Sequence, residues 1–263
     1  MIDLSPRHLI DALNALPPEA VWLLMLLVCF SAVLVLTRVF GESGLHVYIA
    51  VAVLGANLQV LKPVQFSVYA DPVALGTILF ASTYLATDIL AEHYGRASAR
   101  KGVLLGFSAF LLWTVIAVLT LGFRPLSPAE AGEGLAWALP IHDAMATLFT
   151  PVPAFFAAGM IAYLTSQYHD VWLYSLLRRL TGGRHLWLRN NASTWVSALI
   201  DNTLFSVLAW VVFAPDPIGL EPLIFTYILG TYLLRVAVAA LDTPFVYLAR
   251  FAVRSPGPAS AYA

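Results

Sequence analysis

Long apolar blocks, set apart by short polar breaks, dominate the chain. Uncharged blocks run over 20–37, 43–61, 102–123 and 144–169, each near the ~20 residues that carry a helix across ~30 Å of hydrocarbon. Three further blocks are apolar but interrupted: 72–94 by Asp88 and Glu92, 192–214 by Asp201, and 222–249 by Arg235 and Asp242. The breaks carry turn chemistry, such as Gly41-Glu-Ser-Gly44 and Gly182-Gly183. The pattern predicts an all-α transmembrane helix bundle with seven spans, near 20–40, 44–62, 72–94, 102–123, 144–169, 192–214 and 222–249. No soluble domain fits between them, so 1–263 reads as a single integral membrane domain.

Composition sharpens this reading. Of 263 residues, 60% are hydrophobic and 11% charged, against roughly 25% charged in soluble domains; mean hydropathy is +0.81. So few charges cannot cover a soluble globule of this size. A net charge of −1 gives no electrostatic footprint for nucleic acid. The single cysteine, Cys29, cannot form an internal disulfide, and no zinc spacing occurs. Asp3, Asp11 and Glu19 against a single Arg7 are the wrong sign for a cleavable signal's n-region, so the first apolar block is expected to be a mature helix.

Cations concentrate in cytoplasmic loops. Seven spans put Arg38, Arg96, Arg100, Lys101, Arg178, Arg179, Arg184, Arg189, Arg250 and Arg254 on one side and Arg7 and Arg124 on the other, with Glu19, Asp71, Glu130, Glu133, Asp216 and Glu221. The N-terminus is therefore expected outside and the C-terminus in the cytoplasm. Dropping the first helix leaves the other six in the same orientation. Trp22, Trp137, Trp187 and Tyr247 fall near span ends, as an aromatic belt requires.

The charges inside the blocks point to function, because a charge at bilayer depth costs ~2.5–3.5 kcal/mol and turns toward protein or a wet cavity. At 1.5 Å per residue, Asp201 lies roughly 13 Å into its helix, Arg235 roughly 20 Å and Asp88 roughly 24 Å from their outer ends. Asp88 and Glu92, Ser197 and Asp201, and Arg235 and Asp242 each share a helix face, with Thr194 on the Asp201 stripe. Asn57 and Gln59 add amides on another helix, and Lys62 can snorkel at its end. Mutual pairing, for example of Asp201 with Arg235, would merely fasten the bundle. Four acids (Asp88, Glu92, Asp201, Asp242) against one Arg nevertheless leave acids over for a ligand or for titratable protons. Asp170 reads as either a solvated cap or an intracellular gate, and His46, His142 and His185 as interfacial residues. Enzyme motifs are missing: Glu92-His93 lacks the HExxH frame, and no GxSxG, P-loop or dinucleotide fingerprint occurs. The residues alone describe a helical bundle with an acidic, inward-biased cavity. That suits a small-solute transporter without cofactor or metal, and leaves open an intramembrane hydrolase built on Asp88 and Glu92.

Several segments resemble the queuosine precursor transporter family, also called the vitamin uptake transporter family. They are Ala56-Asn-Leu-Gln-Val-Leu-Lys62; Phe80-Ala-Ser-Thr-Tyr-Leu-Ala-Thr-Asp-Ile-Leu-Ala-Glu-His-Tyr-Gly95 with Ala99-Arg100; and Ile161 to Trp172 continuing to His185-Leu-Trp-Leu-Arg-Asn-Asn191. Next come Ser193-Thr194, Ser197 and Leu199-Ile-Asp-Asn-Thr203, and a weaker match at Tyr232-Leu-Leu-Arg235 and Leu241 to Tyr247. Arg235 departs from the family's usual Lys, keeping the cation but changing its geometry. The resemblance implies a six-helix core like the S-components of energy-coupling-factor transporters, plus an extra N-terminal helix. It implies import of 7-cyano-7-deazaguanine, 7-aminomethyl-7-deazaguanine or queuine across a bacterial inner membrane for tRNA queuosine modification. A substrate-binding subunit that needs a separate energising module is the alternative.

A 7-deazaguanine offers N1–H and an exocyclic amine side by side, and one carboxylate accepts both. On this basis Asn57, Lys62, Asp88, Glu92, Trp195, Asp201, Arg235 and Asp242 are the expected substrate-binding residues, with Asp201 on the purine edge. Asp88 and Glu92 form a second binding or coupling pair, and Tyr84 and Tyr232 are further candidates for the ring slot. The expected partners are this substrate, the lipid bilayer and a second copy of the chain in a homodimer.

Overall fold

The computed structural model describes residues 6–67, 73–149, 153–214 and 216–253; Asp71 and Arg254 from the charge count lie outside them. A short helix α1 (Pro6–Asn14) precedes α2 (Pro18–Phe40) and α3 (Glu42–Gln59). A two-residue antiparallel pair, β1 (Pro63–Val64) with β2 (Val73–Ala74), leads to α4 (Thr77–His93) and α5 (Arg96–Gly122). Next come α6 (Pro128–Ala131), α7 (Leu139–Phe149), α8 (Pro153–Leu180) and α9 (Leu186–Val207), which runs into a π-helical turn at Leu208–Val212. The single turn α10 (Leu220–Pro222) opens a second π-helical stretch, Leu223–Gly230, continued by α11 (Thr231–Ala252). The architecture is all-α.

Local chemistry sets the ends of these helices. Pro18 starts α2, where a missing N–H is harmless. Gly41 ends it at φ +61°, donating its N–H to the Thr37 carbonyl, a conformation that glycine adopts without steric cost. Three residues on, a Cβ at Gly44 would stand 2.4 Å from the Leu36 carbonyl oxygen, so the α2–α3 turn closes backbone against backbone.

The apolar block 144–169 is helical on both sides of residues 150–152, over Leu139–Phe149 and Pro153–Leu180.

The centre of the bundle is α4, packed against α2, α3, α5, α8, α9 and α11; 13 of its 17 residues are buried. Its hydroxyls are satisfied within the helix: Ser82 donates to the Leu79 carbonyl (2.8 Å) and Thr83 to that of Phe80 (2.6 Å). A helix can thus carry polar side chains through an apolar interior. Phe30, Val33, Leu45, Ile49, Leu85 and Ile89 form the surrounding core. The outer faces of α2 and α5 expose Leu27, Val28, Val35, Leu112, Val118 and Leu119, the surface a helix shows to lipid. Among the described residues four helices are long and apolar enough to cross a membrane: Pro18–Phe40, Arg96–Gly122, Leu186–Val212 and Leu220–Ala252.

Candidate functional site

Four helices, α4, α8, α9 and α11, turn polar side chains toward one another. On α9 the stripe Thr194, Ser197 and Asp201 is buried, as its spacing predicts. Arg235 on α11 donates through Nη1 to Asp201 Oδ2, and Ser166 on α8 donates to Asp201 Oδ1 at 2.9 Å. The Arg235 guanidinium carbon stands 5.9 Å from the centre of the Phe80 ring on α4, within cation–π range. Tyr84, also on α4, is buried beside this pair. The sequence-derived pairing of Asp201 with Arg235 is therefore present, and it joins two helices that would otherwise each bury an isolated charge.

An amide bridge lies alongside. Gln167 of α8 donates Nε2 to Thr83 Oγ1 of α4 at 2.8 Å, and His169 Nδ1 meets Ser197 Oγ at 2.9 Å. One turn from Ser166, the interior becomes acidic. Asp170 on α8, Asp88 on α4 and Asp242 on α11 are all buried, with Asp88 only 1% exposed. Asn190 on α9 donates Nδ2 to Asp242 Oδ1 at 2.8 Å. Both carboxylate oxygens of Asp88 and of Asp170 lack a hydrogen-bond partner, as do Asn190 Oδ1 and Thr194 Oγ1. Buried acceptors without donors are costly, so this cluster favours any group that brings donors or positive charge. Among the described residues no three His, Cys, Asp or Glu side chains are arranged to hold a metal ion.

The expected Asp88–Glu92 pair divides. Glu92 belongs to a separate clamp: Arg189 Nη2 reaches Glu92 Oε1 at 2.6 Å, and the Tyr174 hydroxyl donates to Oε2 at 3.0 Å. Arg189 also donates Nη1 to the carbonyls of Gly183 and Arg184, each at 2.9 Å. Arg189 is a correction to the charge count, which placed it in a loop: its side chain is 1% exposed. A run of polar residues at the start of α9 was its signal, but its acidic partner lies far along the chain. Asp170 is fully buried, which removes the solvated-cap reading, and buried His46 faces the Ser98 carbonyl at 3.1 Å instead of the interface.

The remaining candidates differ in placement. Asn57 on α3 donates Nδ2 to its own helix at Val53 O (2.8 Å), and its Oδ1 faces Gly159 of α8, where a Cβ would come within 3.7 Å. Trp195, 38% exposed, lies on the outer side of α9. Lys62 is exposed beyond the end of α3.

Comparison with known proteins bears directly on these helices. The family model described as "Putative vitamin uptake transporter" matches residues 74–249, the stretch that carries Asp88, Glu92, Asp170, Arg189, Asp201, Arg235 and Asp242. The chain belongs to the vitamin uptake transporter family. This family member is 35% identical over 230 residues, 87% of its own length and 93% of the relative's, to the "Probable queuosine precursor transporter" of Bacillus subtilis (strain 168). No solved structure matches it. It is a multi-pass membrane protein and a transporter, not an enzyme. The clamp on Glu92 also takes it out of the Asp88–Glu92 pair on which a hydrolase reading would rest.

Proposed function

We propose that the chain imports queuosine precursors (7-cyano-7-deazaguanine, 7-aminomethyl-7-deazaguanine or queuine) across the bacterial cytoplasmic membrane by alternating access. In this reading seven helices span the bilayer, with the N-terminus outside and the C-terminus in the cytoplasm. The observation that carries the reading is the buried Asp201–Arg235 pair, seated inside the helices the family shares. A 7-deazaguanine edge offers two adjacent donors, N1–H and the 2-amino group, beside the O6 acceptor. Asp201 offers acceptors and Arg235 donors. The base therefore opens the pair by meeting both halves at once, and each charge keeps a partner while the substrate occupies the site.

Asp170 lies four residues beyond Ser166 on α8, about 6 Å along the helix. That spacing supports a reading in which the acids without hydrogen-bond partners reach the substituent on the far side of a bound base. Asp88 and Asp170 then meet the ammonium of the aminomethyl form, and this acidic group takes the place of the expected Asp88–Glu92 pair. The exposed Trp195 and Lys62 are not part of this central contact.

The test is queuosine in tRNA of cells that cannot make the precursors but retain the later enzymes. Each base is supplied at low concentration, with and without the gene. Gene-dependent modification is expected, and Asp201→Asn is expected to abolish it while leaving the protein in the membrane. Modification equal with and without the gene for every base would overturn the reading. Uptake by the chain expressed alone separates it from a subunit that needs an energising module.

A further inference from the structure

A second feature lies at the arginine-rich end of the bundle, outside the interior just described. The turn between α8 and α9 and the start of α5 enclose an open groove of about 470 Å³, lined by Arg96, Arg178, Arg179, Ser175, Ala91 and the Gly182-Gly183 turn. Three guanidinium groups and no carboxylate line it. The nearest acid, Glu92, is held by Arg189 at 2.6 Å and stands 3.6 Å from Arg178 Nε.

Helix geometry accounts for part of this charge and not for the rest. Arg178 and Arg179 sit in the last turn of α8, where cations suit the negative helix end. Arg96 opens α5, where a cation is unfavourable; no acid lies in that first turn and no side chain caps it. Arg96 Nε is buried and has no hydrogen-bond partner, and Arg100 and Arg179 add their positive charge close by. Gly182 and Gly183, at φ +59° and +77°, let the turn fold back without side chains that would fill the groove. Beside it, Leu180 is 74% exposed, so an apolar surface adjoins the cationic one.

We propose that this groove binds the phosphate headgroup of an anionic phospholipid, with the acyl chains following the apolar side near Leu180. A phosphodiester supplies the acceptor oxygen that Arg96 Nε lacks and further acceptors for the Arg179 guanidinium, in the planar geometry such groups prefer. Basic pockets between helix ends at the cytoplasmic face suit this chemistry. The proposal is independent of the transported substrate.

The experiment uses the full chain in neutral detergent, with thermal unfolding followed while dioctanoyl-phosphatidylglycerol, dioctanoyl-phosphatidylcholine or inorganic phosphate is titrated. Saturable stabilisation by phosphatidylglycerol alone is expected. The double variant Arg96→Gln/Arg179→Gln should weaken the apparent affinity roughly 30-fold, the effect of removing two near-surface cationic contacts. The control Arg38→Gln/Arg250→Gln, which removes two exposed cations elsewhere, should leave it unchanged.

Equal loss in the control would mean diffuse charge attraction and overturn the site. An equal response to inorganic phosphate would assign the groove to a free oxyanion and overturn the lipid. No response to phosphatidylglycerol would overturn the proposal outright. If the double variant does not fold, Arg96→Lys, which keeps the charge and loses the fork, decides: weakened binding supports the site, and unchanged binding counts against it.

Discussion

Asp201 and Arg235 stabilise each other only as long as both remain. A buried pair deprived of one member leaves an unpaired charge, at a cost of about 3–5 kcal/mol, whereas replacing both members by well-packed apolar residues of similar volume is often close to neutral. Asp201→Asn and Arg235→Gln should therefore each lower unfolding stability in detergent by about that amount, and the apolar double variant Asp201→Leu/Arg235→Met should recover most of it. Uptake should stay lost in all three, because the substrate needs the acceptor and the donor; recovered uptake in the double variant would make the pair a fastening only. A companion test separates the acids: Asp170→Asn should reduce uptake of the cationic aminomethyl base more than that of the neutral cyano base. Equal losses would detach Asp170 from the substituent. The pair itself was legible, because Asp201 and Arg235 interrupt apolar runs at bilayer depth. Arg189 was not: it sits where a chain emerging from a turn ordinarily shows its cations to water, and only packing against Glu92 and Tyr174 reveals it as interior.

Among the elements, α4 depends on close backbone approach. Gly76 precedes it, and a Cβ there would stand 2.6 Å from the Ala56 carbonyl oxygen at the end of α3. Gly76→Ala must move backbone, with an expected cost of about 1–3 kcal/mol in thermal or denaturant unfolding. Gly122→Ala, which meets nothing within 4 Å, serves as the control and should fall well below it. The helices were legible from their apolar runs, since lipid and core both demand them. Their termini were less so. Here α8 continues through Asp170, Arg178 and Arg179 to Leu180, where composition alone ends a span.

At the scale of the whole molecule, the proposed orientation has a direct check. In a chain lacking its only thiol (Cys29→Ala), Lys101→Cys at the arginine-rich end should react with a membrane-impermeant maleimide only in inside-out vesicles. Glu133→Cys, in the loop after α6, should react only in intact cells or spheroplasts. The reverse pattern would invert the topology. The sign asymmetry of the loops was written in the sequence. The meeting of Asp88, Asp170 and Asp242 was not, because each belongs to a different helix and their rotation about one another is set by side-chain packing across the bundle.

The π-helical stretch before α11 has a consequence for length. A π turn holds more residues than an α turn, so Leu223–Gly230 accommodates extra chain without rotating α11 about its axis. Removing one residue there should let the stretch relax toward α geometry and leave Arg235 facing Asp201. The same deletion between Ser166 and Asp170, in regular α-helix, would turn Asp170 about 100° away from its place relative to Ser166. The chain is thus expected to tolerate shortening on one side of its site and not on the other, a difference that paired single-residue deletions scored for uptake would reveal.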